Sequence, residues 1–323
     1  MRFSLRLNND TPADLLVELA AAAEELGFDQ LWVSHDLFLR SAPVLLATVA
    51  ASTSRISLGT GILNPHSAHP VEIAMAAATL QEVSGGRFLL GLGAGATEFL
   101  AWAGIERPAP LASTRRAITE LRALLGGRPA PGRPSEGHLR FTAPSPPIYL
   151  GAMGPRMLEL AGELCDGALP LLFPPEHFPV AAGQVATGLA RAGRDPAGFD
   201  LAACVWCSID PDGERAERAL AGKIAYYGSS FSPYLMERAG IARQEFGPIQ
   251  AAMNAGEVGR AVSLVTPAML KLGIAGDAAA LTSRCQTLVD QGAHHLSFGP
   301  PLGPDPLAAV RLLGTEVLPA LRT

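Results

Sequence analysis

Strand-like and helix-like runs alternate along the 323 residues, and eight strands can be counted, each with helical sequence after it. Alternation of this kind gives a parallel sheet covered by helices. Eight strands in a chain somewhat longer than about 250 residues is the count and size of a (β/α)8 TIM barrel. The sequence therefore predicts an α/β fold, a single (β/α)8-barrel domain over residues 1–323, with a helical insertion after the seventh strand at about 211–275.

Each element has a local signal. Residues 3–7 read as the first strand. Residues 12–26 read as a helix, with Thr11 as N-cap, Pro12 at the first position and Gly27 just past the end. Strands are predicted at 30–34, 56–62 and 88–93, separated by helices at 43–53 and 70–83, the second ending at Ser84-Gly85-Gly86. A helix at 114–125 precedes a stretch rich in Gly and Pro, 126–147, expected to be a loop or short hairpin. Strands at 148–150, 167–172 and 201–209 follow, with helices at 155–164 and 177–192 between them. The stretch 214–272 is helical in pattern and too long for one βα connection. A helix at 277–291, a strand at 295–298 and a helix at 306–322 close the chain.

Composition excludes several functions. Hydrophobic residues are 48% and charged residues 17%, which suits a large core and argues against disorder. Lys and Arg number 25 against 30 Asp and Glu, a net charge of −5, and no basic stripe suggests nucleic acid. Apolar runs break before the ~20 residues of a membrane span, and no basic segment with an apolar run behind it opens the chain. The expectation is a cytoplasmic protein with a small-molecule substrate. Four cysteines are too few for a disulfide scaffold. Cys204 and Cys207 have redox spacing but lie in a strand, where residues three apart face opposite ways.

Barrel chemistry sits at the C-terminal ends of strands. There the sequence places His35-Asp36, Gly61-Ile62 with Asn64, Gly93-Ala94-Gly95, and Gly151-Ala152-Met153-Gly154-Pro155-Arg156. Gly91-Leu92-Gly93-Ala94-Gly95 resembles half a dinucleotide fingerprint, but its third glycine comes one residue early, so a tight turn is the better reading. Pro155 opens a helix whose free amides, with Arg156, suit a phosphate. Asp36, Glu98 and Glu237 are the carboxylates available for proton transfer. His66, His69 and Glu72 have metal-like spacing, but Pro65 and Pro70 break the helix that would align them. No Gly-x-Ser-x-Gly elbow is present, so hydrolase chemistry lacks support.

Further stretches are Glu25-Leu26-Gly27-Phe28-Asp29 with Trp32, residues 58–65, Ser84-Gly85-Gly86-Arg87 with 90–95, Met157-Leu158-Glu159-Leu160-Ala161-Gly162, and residues 299–305. In these the chain resembles the luciferase-like oxidoreductases, and among them the methylenetetrahydromethanopterin reductases that use coenzyme F420, a deazaflavin. The resemblance implies an oxidoreductase that moves a hydride between F420 and a C=N or C=C bond, assembled as a homodimer or homotetramer. FMN with oxygen is the alternative cofactor, and a flavin-binding relative without the chemistry is a further reading. It implies a non-prolyl cis peptide at Gly61-Ile62 behind the deazaflavin ring, and the coenzyme phosphate at Gly154-Pro155-Arg156. It also implies departures. Arg6 stands where the reductases carry a glutamate, Ala96 where they carry an aspartate, His35-Asp36 where they carry Asp-His, and Ala68 where they carry an arginine. Glu237 is retained, so Glu237 and Asp36 are the expected catalytic residues.

Overall fold

The apolar runs pair side by side, all in parallel. The computed structural model describes every residue except Ser229, Ser230, Ser232 and Thr323. Two compact units emerge. One comprises Ser4–Pro170 and Ala181–Ala202, the other Met1–Phe3, Leu171–Val180 and Ala203–Thr323.

The first unit is built from β1 (Arg2–Leu7, from Ser4 on), α1 (Ala13–Glu25), β2 (Gln30–Val33), α2 (Ala42–Ser52), β3 (Ser57–Thr60), α3 (Pro70–Val83), β4 (Phe88–Gly93), α4 (Thr97–Trp102), α5 (Pro110–Leu125), β5 (Ile148–Gly151), α6 (Pro155–Leu164), β6 (Gly167–Ala168), α7 (Phe178–Arg191, from Ala181 on) and β7 (Asp200–Leu201). Its strands lie in the order β7-β6-β5-β4-β3-β2-β1, so neighbours in sequence are neighbours in space. Parallel neighbours need a crossover, and helices supply it. All residues of β2 and β4 are buried, as expected of strands covered on both faces. Trp32 of β2 lies across Gly59 of β3, where a β-carbon would come within 2.2 Å of its ring. Its indole N–H donates to Gln30 at 3.0 Å, and its ring meets the edge of Tyr149 at 5.0 Å.

The second unit holds β8 (Ala203–Ile209), α8 (Gly213–Tyr227), α9 (Pro233–Ala239), α10 (Gly247–Asn254), α11 (Val258–Ser263), α12 (Pro267–Leu270), β9 (Ile274–Gly276), α13 (Ala278–Asp290), β10 (His295–Leu302), α14 (Pro306–Leu312) and α15 (Leu318–Arg322). Its strands run β10-β8-β9. Phe173, Trp206, Leu220, Met236, Phe246 and Ile249 form a core in which the Phe173 and Trp206 rings meet edge-on at 4.6 Å. Asp212 and Asp277 cap α8 and α13 by accepting backbone N–H bonds. Among the described residues, no helix is long and apolar enough to cross a membrane.

Several boundaries differ from the sequence reading. Among the described residues ten strands form where eight were expected. The run 201–209 divides at Ala202 into β7 and β8, and the short β9 lies inside the stretch read as all helical. The strand predicted over 167–172 forms a ladder at Gly167–Ala168 and then a single bridge from Leu171 to Cys204. Helix α1 begins at Ala13, and its N-cap is Pro12, in an extended conformation with no side-chain bond, in place of Thr11. The predicted helix 177–192 opens with one 3-10 turn, Pro175–His177, and the run 306–322 contains a π turn at Leu313–Val317. The stretch 126–147 is loop throughout.

The Ser84-Gly85-Gly86-Arg87 motif has a structural explanation. Gly85 and Gly86 take positive φ, 64° and 89°, which glycine adopts without steric cost. The turn delivers the Arg87 guanidinium to the carbonyls of Ala50 (3.0 Å), Thr53 (3.0 Å), Ile56 (2.8 Å) and Ser84 (2.8 Å). One side chain thus ties the end of α2, the approach to β3 and the end of α3. Arg87→Met should destabilise the fold by about 3 kcal/mol in urea unfolding, because several charge-assisted bonds are lost and carbonyls are left unpaired. An unchanged midpoint would contradict this role.

Candidate active site

The loops after β2, β3, β4 and β5 lie side by side in the first unit. After β3 the chain turns through Gly61-Ile62, whose peptide bond is cis, as the resemblance implied. Gly61 donates to the Val33 carbonyl at 2.7 Å, Leu63 donates to Gly91 at 2.9 Å, and Gly93 donates back to Leu63 at 2.9 Å. The turn is therefore laced to β2 on one side and β4 on the other. The Ile62 side chain fills space left by two glycines. A β-carbon on Gly93 would lie 2.8 Å from Ile62 Cδ1, and one on Gly151 would lie 2.8 Å from Ile62 Cγ2. With the side chain seated there, the Gly61-Ile62 backbone is left half-buried.

Asn64 continues this loop. It is buried, and its Oδ1 accepts from the backbone N–H groups of His66 (3.1 Å) and Ser67 (2.9 Å). The Asn64 oxygen is therefore engaged within the chain. Gly95, with φ of 73°, packs directly on Asn64. Its carbonyl accepts from Arg107 Nη1 at 2.9 Å, which steadies the Gly93-Ala94-Gly95 turn.

The end of β2 is pinned by Asn9, a fully buried residue in the loop after β1. Asn9 Nδ2 donates to the Asp36 carbonyl at 2.9 Å, and Asn9 Oδ1 accepts from Asp36 N–H at 3.2 Å and Ser34 Oγ at 2.8 Å. His35 sits between these anchors. Its Nδ1 accepts from Ala42 N–H at 3.1 Å, at the start of α2. Burial holds the imidazole below its ordinary pKa. The neutral ring then carries its proton on Nε2 and offers a donor there.

After β5 the chain passes through Gly151, Ala152 and the exposed Met153 into α6. Gly154 is the N-cap, with no side-chain cap, and Pro155 takes the first helical position. A β-carbon on Gly154 would meet nothing within 4 Å. The helix start is thus open, with its positive dipole end unmasked and the exposed Arg156 beside it.

Of the three carboxylates singled out in the sequence, Asp36 stands with His35 at the end of β2. Glu98 is exposed on α4, and Glu237 is exposed on α9 of the second unit. His69 is the N-cap of α3, accepting from Val71 N–H at 3.2 Å. Sequence reasoning passed over Asn9, Arg107 and His177. Asn9 and Arg107 act through long-range bonds that no local pattern signals. His177, in the second unit, is buried, with Nε2 unpaired, close to Tyr234 and to Arg238.

A sequence profile of luciferase-like monooxygenases matches residues 1–295. The chain belongs to the luciferase-like monooxygenase family. Within this family it is similar to 5,10-methylenetetrahydromethanopterin reductase of Methanolobus tindarius, 33% identical over 98% of this chain and 100% of the relative. It is 32% identical to the enzyme of that name from Archaeoglobus fulgidus, over the whole of both chains. Among solved structures, the coenzyme F420-dependent tetrahydromethanopterin reductase of Methanopyrus kandleri superposes with a TM-score of 0.88 at 30% identity, covering 98% of each chain. The α/β barrel class read from the sequence is the class of this luciferase-like fold.

Burial, and then the charge of Arg238, push His177 down to about 4. In the unfolded chain its pKa returns to about 6.5. Between those values the unfolded state binds more protons. Stability should therefore be full above about pH 6.5 and fall as the pH drops toward 4, by up to about 1.4 kcal/mol per pH unit from this group. Urea unfolding across that range should show a shallower fall for His177→Gln. Equal slopes would contradict the assignment.

Proposed function

We propose that the chain is a coenzyme F420-dependent oxidoreductase that transfers a hydride between the deazaflavin and a C=N or C=C bond of a small molecule. The observation that carries this reading is the Gly61-Ile62 turn, laced to β2 and β4 and seated on Gly93 and Gly151. It occurs in a chain similar along its whole length to reductases of that class.

The residues present fit the coenzyme. The half-buried backbone of Gly61-Ile62 is a surface for the flat ring, and Asn64 with Gly93-Ala94-Gly95 shapes the loops beside it. The open start of α6, at Gly151-Ala152-Met153-Gly154-Pro155-Arg156, suits the phosphate, since free amides and a cation converge there. When bound, the deazaflavin supplies hydride exchange at its C5, and the protein supplies position and electrostatics. His35 contributes a neutral donor at Nε2. Asp36, its backbone clamped on both sides by Asn9, is the proton carrier on this unit. Glu237 is the second carboxylate proposed for that task. Arg6 and Ala96, in place of two carboxylates, point to a substrate other than the pterin of the reductases.

Titration of the purified chain with F420, read by coenzyme fluorescence, should give saturable binding, with FMN binding much more weakly. Arg156→Ala and Gly154→Val should each weaken F420 by at least about tenfold, the scale of one charge-assisted contact. Gly154→Val should still fold, because the space at its Cβ is open, with melting lowered only modestly by the poorer N-cap residue. Binding of FMN alone would move the chain to oxygen-using chemistry. Binding of neither would remove the proposal.

A further inference from the structure

Arg107 lies between α4 and α5, half-buried, and is held to the site by its bond to the Gly95 carbonyl. That bond uses one of the five N–H donors of a guanidinium. Among the described residues, no carboxylate forms an ion pair with it. A cation kept partly out of water without a counter-charge is an unfinished arrangement. The neighbouring imidazole is unfinished too. His66 is anchored through its backbone N–H to Asn64, which packs on Gly95, yet its Nε2 is buried with no hydrogen-bond partner. Burial and the charge of Arg107 both keep this ring neutral. With its hydrogen on Nε2, the neutral imidazole presents that buried edge as a donor, and the guanidinium has donors only. What satisfies both is an oxyanion.

We propose that Arg107 and His66 form an anion subsite beside the Gly93-Ala94-Gly95 turn that takes a carboxylate or phosphate group of the substrate. This deepens the preceding reading and rests on it, because it takes the coenzyme to lie against Gly61-Ile62 and its phosphate to lie at the start of α6. The substrate class is thereby narrowed to small molecules with an anionic group apart from the reducible bond. Ground-state pairing with Arg107 fixes the orientation of such a molecule and contributes to its affinity.

The test uses the full chain labelled with 13C and 15N in histidine, with the His66 signals assigned by their loss in His66→Asn. Inorganic phosphate and acetate are titrated separately, without coenzyme and then with F420 at saturation. The His66 ring signals should shift saturably with either anion. Arg107→Gln should weaken that response at least about tenfold, and Arg107→Lys should recover part of it. Arg156→Ala should leave it intact. The response should persist with F420 present. A His66 ring that neither anion moves would overturn the proposal, as would an equal response in Arg107→Gln. A shift produced by F420 itself, with phosphate then excluded, would assign the subsite to the coenzyme's own carboxylates and overturn the substrate assignment. An Arg107-dependent phosphate response in a chain that binds no F420 would remove the coenzyme reading and leave the anion subsite standing.

Discussion

Two absent side chains govern the candidate site. Gly93 and Gly151 end adjacent strands, and the space above them is taken by Ile62 from the turn that follows β3. Any β-carbon at either position meets Ile62 at 2.8 Å, a separation that packed atoms do not tolerate. The Gly61-Ile62 backbone owes its place to this seating and to the bonds that lace it to Val33, Gly91 and Gly93. The loops that follow inherit the arrangement. Gly95 folds onto Asn64, Arg107 closes on Gly95, and the chain leaving Gly151 enters the uncapped α6.

Around that contact the polar side chains serve position. Asn9 satisfies its amide on the end of β2 and so sets His35 and Asp36. Arg87 does the same on the far side of the strands, where the βα connections start. Both are buried or half-buried groups whose hydrogen bonds go to backbone atoms, the pattern expected when a polar group is taken from water to hold loops in register. His66 departs from this pattern, as its buried Nε2 has no partner among the described residues, and Arg107 beside it spends one donor on the Gly95 carbonyl.

Much of this was legible beforehand. The limits of α3, β4 and α6 follow from Pro70, Pro155 and the glycines after Val83 and at the end of β4, residues whose backbone preferences act locally. The cis peptide at Gly61-Ile62 and the start of α6 at Pro155 also stood where the sequence put them, the first by resemblance and the second by the backbone preference of proline. What escaped depends on tertiary contact. The break at Ala202 and the three residues of β9 arise from pairing with distant strands, which no periodicity records. Glu98 and Asp36 look alike in sequence, and only the Asn9 clamp sets Asp36 apart. Glu237 lies on the second unit, and its role rests on resemblance.

The central claim is that the Gly61-Ile62 turn on its glycine seat receives a deazaflavin ring while the start of α6 receives its phosphate. A crystal structure of the chain grown with oxidised F420 tests this most directly. The account requires the ring face against the Gly61-Ile62 backbone, the phosphate within hydrogen-bond distance of Arg156 or the α6 amides, and Ile62 still seated on Gly93 and Gly151. Coenzyme density away from that turn, or a ring in place with its phosphate directed elsewhere, would contradict it.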